Sequence, residues 1–218
     1  MQFIDIHTHR FSQNEEVIAV KSISLGNDDL PNLQQNQPLA VGLHPWYAKL
    51  ENLDKQLADL TKITKEDKVW FIGECGLDSL RGEKMSNQLE VLEAQILLAQ
   101  QLQKPVILHC VKAFDELIAL KKKLNVRVPM VVHGYNKSHQ LGQQLLNLGF
   151  QLSFGKAILN PSSSAAKLLT QIPHFFLETD DSDVEIEEIY TAAANLKKCS
   201  IDQLKARIFA DCKNLKIF

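Results

Sequence analysis

Phe3-Ile4-Asp5-Ile6-His7-Thr8-His9 is a short apolar run that ends in two histidines two positions apart. Side chains on a strand alternate between faces, so His7 and His9 leave on the same side and can share one cation, with Asp5 behind them on that face. A solvated turn could hold such a pair by chance. The rest of the chain separates the two readings, because its apolar runs keep ending in His, Glu or Asp.

Working outward, residues 21–26 and 39–45 read as a short second and a third strand, the latter closing on His44. The polar stretch 27–37, with Pro31 inside it, is too short and too poor in helical periodicity for a full crossover helix. Residues 69–74 form a fourth strand ending in Glu74, 105–109 a fifth ending in His109, and 130–133 a sixth ending in His133. Residues 150–154 and 175–180 supply the seventh and eighth, the latter closing on Asp180. Helical stripes lie between and after them: Leu89, Leu92, Ile96, Ala99 and Leu102; Phe114, Leu117, Ile118 and Leu124; Leu141, Leu145 and Leu148; Ile186, Ile189, Tyr190 and Ala193; and Leu204, Ile208, Phe209 and Cys212. Lys121, Lys122 and Lys123 sit where positive charge suits a helix C-terminus.

Near-continuous apolar strands alternating with helices predict a parallel sheet, and eight of them predict an α/β TIM (β/α)8 barrel with shortened first two βα crossovers, one domain over 1–218. An open doubly wound sheet is the alternative. A barrel is favoured because the polar residues end strands one, four, five, six and eight, whose C-terminal ends converge on one mouth when the sheet closes.

Composition narrows the function. The chain has 218 residues, 45% hydrophobic and 23% charged, and a net charge of −2, so no broad positive field draws in a long duplex. No apolar run reaches bilayer length and the N-terminus lacks the pattern of a signal peptide, which predicts a cytoplasmic protein with no membrane partner. Cys75, Cys110, Cys199 and Cys212 form no Cys-x-x-Cys pair and read as reduced thiols.

His7, His9, Glu74, His109, His133 and Asp180 therefore form the predicted constellation. Four imidazoles and two carboxylates suit divalent ions such as Mg, Mn or Zn, and suffice for two ions about 3.5–4 Å apart that share one carboxylate. The chemistry they imply is hydrolysis. Around them, His44 is a support behind the ligands, a substrate contact or a turn histidine, and Trp46 with Tyr47 could stack a base or simply pack at the rim. Lys112, Lys156 and Arg10 follow strand ends and could meet a phosphate. Glu178 reads as a carboxylate that supports the ligands, Asp5 as a ligand orienter in preference to a buried partner of a backbone group, Asp78 as a turn former, and His139 and His174 have no role.

His7-Thr8-His9, Gly42-Leu43-His44-Pro45, Gly73-Glu74-Cys75-Gly76-Leu77-Asp78, Pro105-Val106-Ile107-Leu108-His109, His133, Leu152-Ser153-Phe154-Gly155 and Glu178-Thr179-Asp180 resemble, in order, the motifs of TatD-related metal-dependent hydrolases. Asn214 and Phe218 resemble the family's closing residues. The resemblance implies a metal-dependent deoxyribonuclease in which His7, His9 and Asp180 hold one ion and His109 and His133 the other. Glu74 would bridge them, and Asp180 would orient or deprotonate the attacking water.

Three departures bear on substrate. Cys110-Val111-Lys112-Ala113 stands where the family has Ser-Arg-Glu-Ala, so a bidentate arginine is replaced at best by a point charge. Gly134-Tyr135-Asn136-Lys137 replaces Cys-Phe-Ser-Gly, and Asp181-Ser182-Asp183 adds negative charge beside the site. The expected substrates are DNA ends or short oligonucleotides. An amidohydrolase-like activity on a small amide, ester or phosphate ester is the alternative, and a barrel without activity a third reading. Apolar flank left bare by the short crossovers would favour self-association.

Overall fold

A computed structural model describes residues 1–27 and 37–217. The polar stretch around Pro31 and the terminal Phe218 lie outside them. The strands are β1 (Phe3–Thr8), β2 (Val17–Ser24), β3 (Leu39–Gly42), β4 (Val69–Asp78), β5 (Val106–Val111), β6 (Met130–Val132), β7 (Phe150–Phe154) and β8 (Phe176–Leu177). The helices are α1 (Leu53–Ile63), α2 (Met85–Leu102), α3 (Phe114–Leu124), α4 (His139–Asn147), α5 (Ser164–Gln171), α6 (Ile186–Lys197) and α7 (Ile201–Asn214). The strands follow one another in the sheet in chain order, and β1–β2, β3–β4, β4–β5 and β7–β8 pair in parallel. A parallel bridge from Thr8 to Asp180 ties the chain just beyond β8 to the end of β1. The fold class is the α/β TIM barrel.

Several boundaries differ from expectation. β2 begins at Val17 rather than Lys21, because Val17 to Ala19 pair with Phe3 to Asp5. β4 runs four residues past Glu74 to Asp78, held by parallel pairing of Cys75 to Asp78 with Leu108 to Val111. β8 shrinks to two residues. Helix α1 is an addition to the expected elements: Leu53, Leu57, Leu60 and Ile63 stand at helical spacing, and Leu60 is buried. Residues 9–16, between β1 and β2, hold no helix, as expected.

The chain divides into two compact units, Met1–Lys21 with Val131–Phe218 and Ser22–Met130. In the second unit, α2 buries Val91, Leu92, Ile96, Leu98 and Ala99. Here β4 and β5 approach closely at Gly76, where an added Cβ would collide with the His109 carbonyl oxygen. α3 ends in the expected lysines, and Lys123 pairs with Glu93 at 2.7 Å. In the first unit, the Tyr190 hydroxyl of α6 lies 3.1 Å from both the N–H and the carbonyl oxygen of Ile4, with its ring edge-on to Phe3 at 5.1 Å. Ser200 caps α7 through a reciprocal capping box with Gln203.

One irregularity in the first unit changes a sequence reading. Asp5 pairs with Ala19 and Thr8 with Lys21, so β1 spends three steps where β2 spends two, a bulge that reverses the side-chain alternation. Asp5 and Thr8 consequently meet on one face. The Thr179 N–H and hydroxyl donate to the Asp5 carboxylate at 3.0 and 2.6 Å, and the Thr179 and Thr8 hydroxyl oxygens lie 2.9 Å apart. Asp5 is therefore a buried partner of the Thr179 backbone, with His7 near enough to act on its charge. Burial pushes its carboxyl up to about 7 despite the two hydrogen bonds.

All four cysteines are free, and Cys75, Cys110 and Cys212 are buried. Burial lifts the Cys75 thiol far above its ordinary range. Among the described residues no helix is long and apolar enough to cross a membrane.

Candidate metal centre

Each unit carries its own group of ligand-type side chains at strand ends. In the first, ligand atoms of His7, His133 and Asp180 all lie within 4.8 Å of one another. Asp180 Oδ1 is 3.6 Å from Nε2 of both His7 and His9, and the His7 ring centroid is 4.3 Å from that of His133 and 5.2 Å from that of His9. The backbone sets this arrangement. The Asp180 N–H donates to the His7 carbonyl at 3.0 Å, and the His9 N–H donates to the Asp180 carbonyl at 3.1 Å. Asp180 itself turns through a left-handed φ of 56°, and its carboxylate shares one side with both imidazoles.

Behind His133 stands Glu178, fully buried, with Oε1 3.6 Å from His133 Nδ1 and accepting the Gly134 N–H. This matches the supporting role expected of it. His7 is buried while the His9 side chain is 44% exposed, so one edge of the group opens to solvent.

In the second unit the group is His44, Glu74 and His109, with ligand atoms again within 4.8 Å. Glu74 Oε1 lies 2.8 Å from His109 Nδ1 and 3.2 Å from His44 Nε2. His44 is buried against Glu74 and accepts the Trp46 N–H on Nδ1 at 3.2 Å. Trp46 is a wall: its indole N–H donates to Asp78 Oδ2 at 2.6 Å, its ring stands edge-on to His44 and His109, and the Arg81 guanidinium covers it at 4.4 Å.

Asp78 forms the expected turn and does more. Besides accepting the Leu80 N–H as a turn former does, it places Oδ2 3.3 Å from His109 Nε2. Burial would raise its carboxyl, but the hydrogen bonds from Trp46, Leu80 and His109 outweigh that and hold it below the usual range.

Two further residues escaped the sequence reading. Gln95, fully buried on α2, takes the Leu43 N–H on Oε1 at 2.7 Å and returns Nε2 to the Leu43 carbonyl at 3.1 Å. One heptad earlier, Gln88 does the same for Asp78, at 2.8 and 2.9 Å. The available signal was two glutamines seven apart inside an apolar helical stripe, polar groups that burial obliges to find partners.

The basic residues that follow strand ends lie at the surface. Lys156 lies 3.8 Å from Asp181, and Arg10 donates to the Val184 carbonyl at 3.1 Å with Glu185 at 4.0 Å. Lys112 is exposed with φ of 50°. His139 and His174 bond Gln171 and Asp211, at 2.8 and 2.9 Å, and belong to neither ligand group.

Imidazole nitrogens with carboxylate oxygens, gathered at this spacing, fit a borderline or hard divalent cation. Residues 4–208 match the family model for TatD-related DNases. A Klebsiella pneumoniae (strain 342) protein named 3′-5′ ssDNA/RNA exonuclease TatD is 30% identical over 204 residues, which cover 81% of this chain and 75% of the relative. An Escherichia coli K12 protein named as an uncharacterized metal-dependent hydrolase, YjjV, is 28% identical over 211 residues, covering 85% and 81%. The crystal structure of that E. coli TatD homologue superposes with a TM-score of 0.82 at 23% identity, over 98% of this chain and 97% of the other. A Saccharomyces cerevisiae structure described as an uncharacterized amidohydrolase shares the fold, with a TM-score of 0.74 at 14% identity over 100% and 99% of the two chains.

Proposed function

Because the chain belongs to the TatD-related DNase family of metal-dependent hydrolases, we propose that it hydrolyses phosphodiester bonds at DNA ends or in short oligonucleotides. The observation that carries this reading is the pair of His/carboxylate groups, His7, His133 and Asp180 in one unit and His44, Glu74 and His109 in the other. In it, His7, His9 and Asp180 serve one divalent ion and Glu74 with His109 serves a second; His133, expected beside His109, is assigned to the first because its ligand atom lies within 4.8 Å of those of His7 and Asp180. When bound, such ions polarise a phosphoryl oxygen and acidify water. Asp180 is the base at the exposed edge of its group, 33% exposed beside the half-exposed His9, where it can orient an attacking water. Glu74 is held from two sides by His44 and His109, which fixes its carboxylate without need of substrate.

A second reading, hydrolysis of a small amide, ester or phosphate ester, draws on Lys156, whose charge is taken up by Asp181 rather than offered to a polyanion. Release of nucleotides from single-stranded DNA, supported by manganese, magnesium or zinc and abolished by chelator and by His109→Ala, is the expected result. Metal-loaded protein that releases no nucleotide but turns over a small ester would move the function to the second reading.

A further inference from the structure

Trp46 and His109 converge on one oxygen of Asp78. The indole N–H of Trp46 can only donate, and it reaches Asp78 Oδ2 at 2.6 Å, so that oxygen is an acceptor. His109 Nε2 lies 3.3 Å from the same atom. An acceptor oxygen can be bonded only by a ring nitrogen that carries a hydrogen. The opposite nitrogen, Nδ1, lies 2.8 Å from Glu74 Oε1. A neutral ring has a hydrogen for only one of these two carboxylates, and a cation bound through Nδ1 and Glu74 would leave it to Asp78.

Asp78 is itself immobilised. Its Oδ1 takes the Leu80 N–H at 2.8 Å, and its own N–H and carbonyl are held by the buried Gln88 amide. The same Gln88 Nε2 lies 2.9 Å from the Arg81 carbonyl and 2.7 Å from the Glu83 carbonyl, so a single amide braces the turn after β4. A carboxylate fixed in this way selects one tautomer of the imidazole it accepts from, as partners of metal-binding histidines do.

We propose that Asp78 is a positioning residue of the metal centre: with a divalent ion bound, it holds the hydrogen on His109 Nε2 and so leaves Nδ1, beside Glu74, as the ligand nitrogen. This rests on the reading of His109 as a ligand. Trp46 and Gln88 act through Asp78, the first by occupying its oxygen as a donor and the second by fixing its backbone.

The test is long-range 1H–15N correlation of the histidine rings in zinc-loaded protein, at a pH alkaline enough for the imidazoles to be neutral, alongside zinc-binding isotherms. In wild type, and in Trp46→Phe, His109 is expected to show the hydrogen on Nε2. Asp78→Asn, whose amide can donate to the ring, is expected to shift the signal toward the Nδ1-protonated form and to weaken one zinc site by about 10–100-fold. Hydrogen on Nδ1 in wild type, or an Asp78→Asn spectrum and isotherm like those of wild type, would overturn the role of Asp78. The wild-type spectrum decides the question even where the variant does not fold. Failure of wild type to take up zinc, manganese or magnesium would instead overturn the ligand reading on which the proposal rests.

Discussion

Replacing Gln95 by Leu keeps the size of the side chain and removes both of its bonds to the Leu43 backbone, 2.7 Å to the N–H and 3.1 Å to the carbonyl. Gln95 and Leu43 are 0% and 1% exposed, so water cannot replace those bonds without opening the packing of α2. Each buried backbone group left unpaired costs about 1–3 kcal/mol. Against this, leucine removes an amide that had to be desolvated and gains roughly 1 kcal/mol of apolar burial. The net loss is about 1–5 kcal/mol, and in a chain of 218 residues each kcal/mol moves the midpoint by roughly 2–4 °C. We expect Gln95→Leu to lower Tm by about 5–10 °C in thermal unfolding followed by circular dichroism. Leu97→Gln, at a half-exposed position on the same helix, should move it by no more than a degree or two. A Gln95→Leu variant that melts with wild type would refute the argument, since the amide would then not be what satisfies Leu43.

Asp5→Ala strips the acceptor from the buried Thr179 N–H and hydroxyl and should cost about 2–4 kcal/mol, read as a lower urea midpoint at unchanged slope. Gly76→Ala would press its Cβ into the His109 carbonyl oxygen. It should yield little soluble protein, and a variant with native Tm would contradict the close approach of β4 and β5. Arg81→Ala removes an exposed guanidinium stacked on Trp46 at 4.4 Å. If the substrate is an oligonucleotide, KM should rise several-fold with kcat nearly unchanged, and the difference should shrink as salt is added; an unchanged KM at low salt would remove Arg81 from the binding surface. Saturating zinc or manganese should raise Tm, by about 2.7 kcal/mol of stabilisation at a hundredfold excess over Kd, and His7→Ala should diminish the rise.

Much of this architecture was legible in the chain because its signals are local. Apolar runs ending in His, Glu or Asp marked β1, β4, β5, β6 and the end of β8, and stripes at helical spacing marked α2 to α4, α6 and α7. The identities of the ligand-type residues could be read the same way, since a strand end followed by a loop is a one-dimensional pattern. α1 was legible by the same rule, since Leu53, Leu57, Leu60 and Ile63 recur at helical spacing.

What only the tertiary structure decided were the relations between residues far apart in sequence. Alternation along β1 placed Asp5 with the histidines, but a bulge created by pairing with β2 turned it toward Thr179, 174 positions away. His44 and Asp78 looked like turn residues until strand packing set them against Glu74 and His109. Gln88 and Gln95 carried no chemistry of their own to announce a role; burial on α2 forced their amides onto the backbone of strand ends. Sequence by itself determined the kind of elements and the kind of donors, because those depend on periodicity and side-chain chemistry. Register and packing decided which donor faces which partner, because a one-residue slip reverses a face and a buried polar group must bond whatever the fold brings within reach.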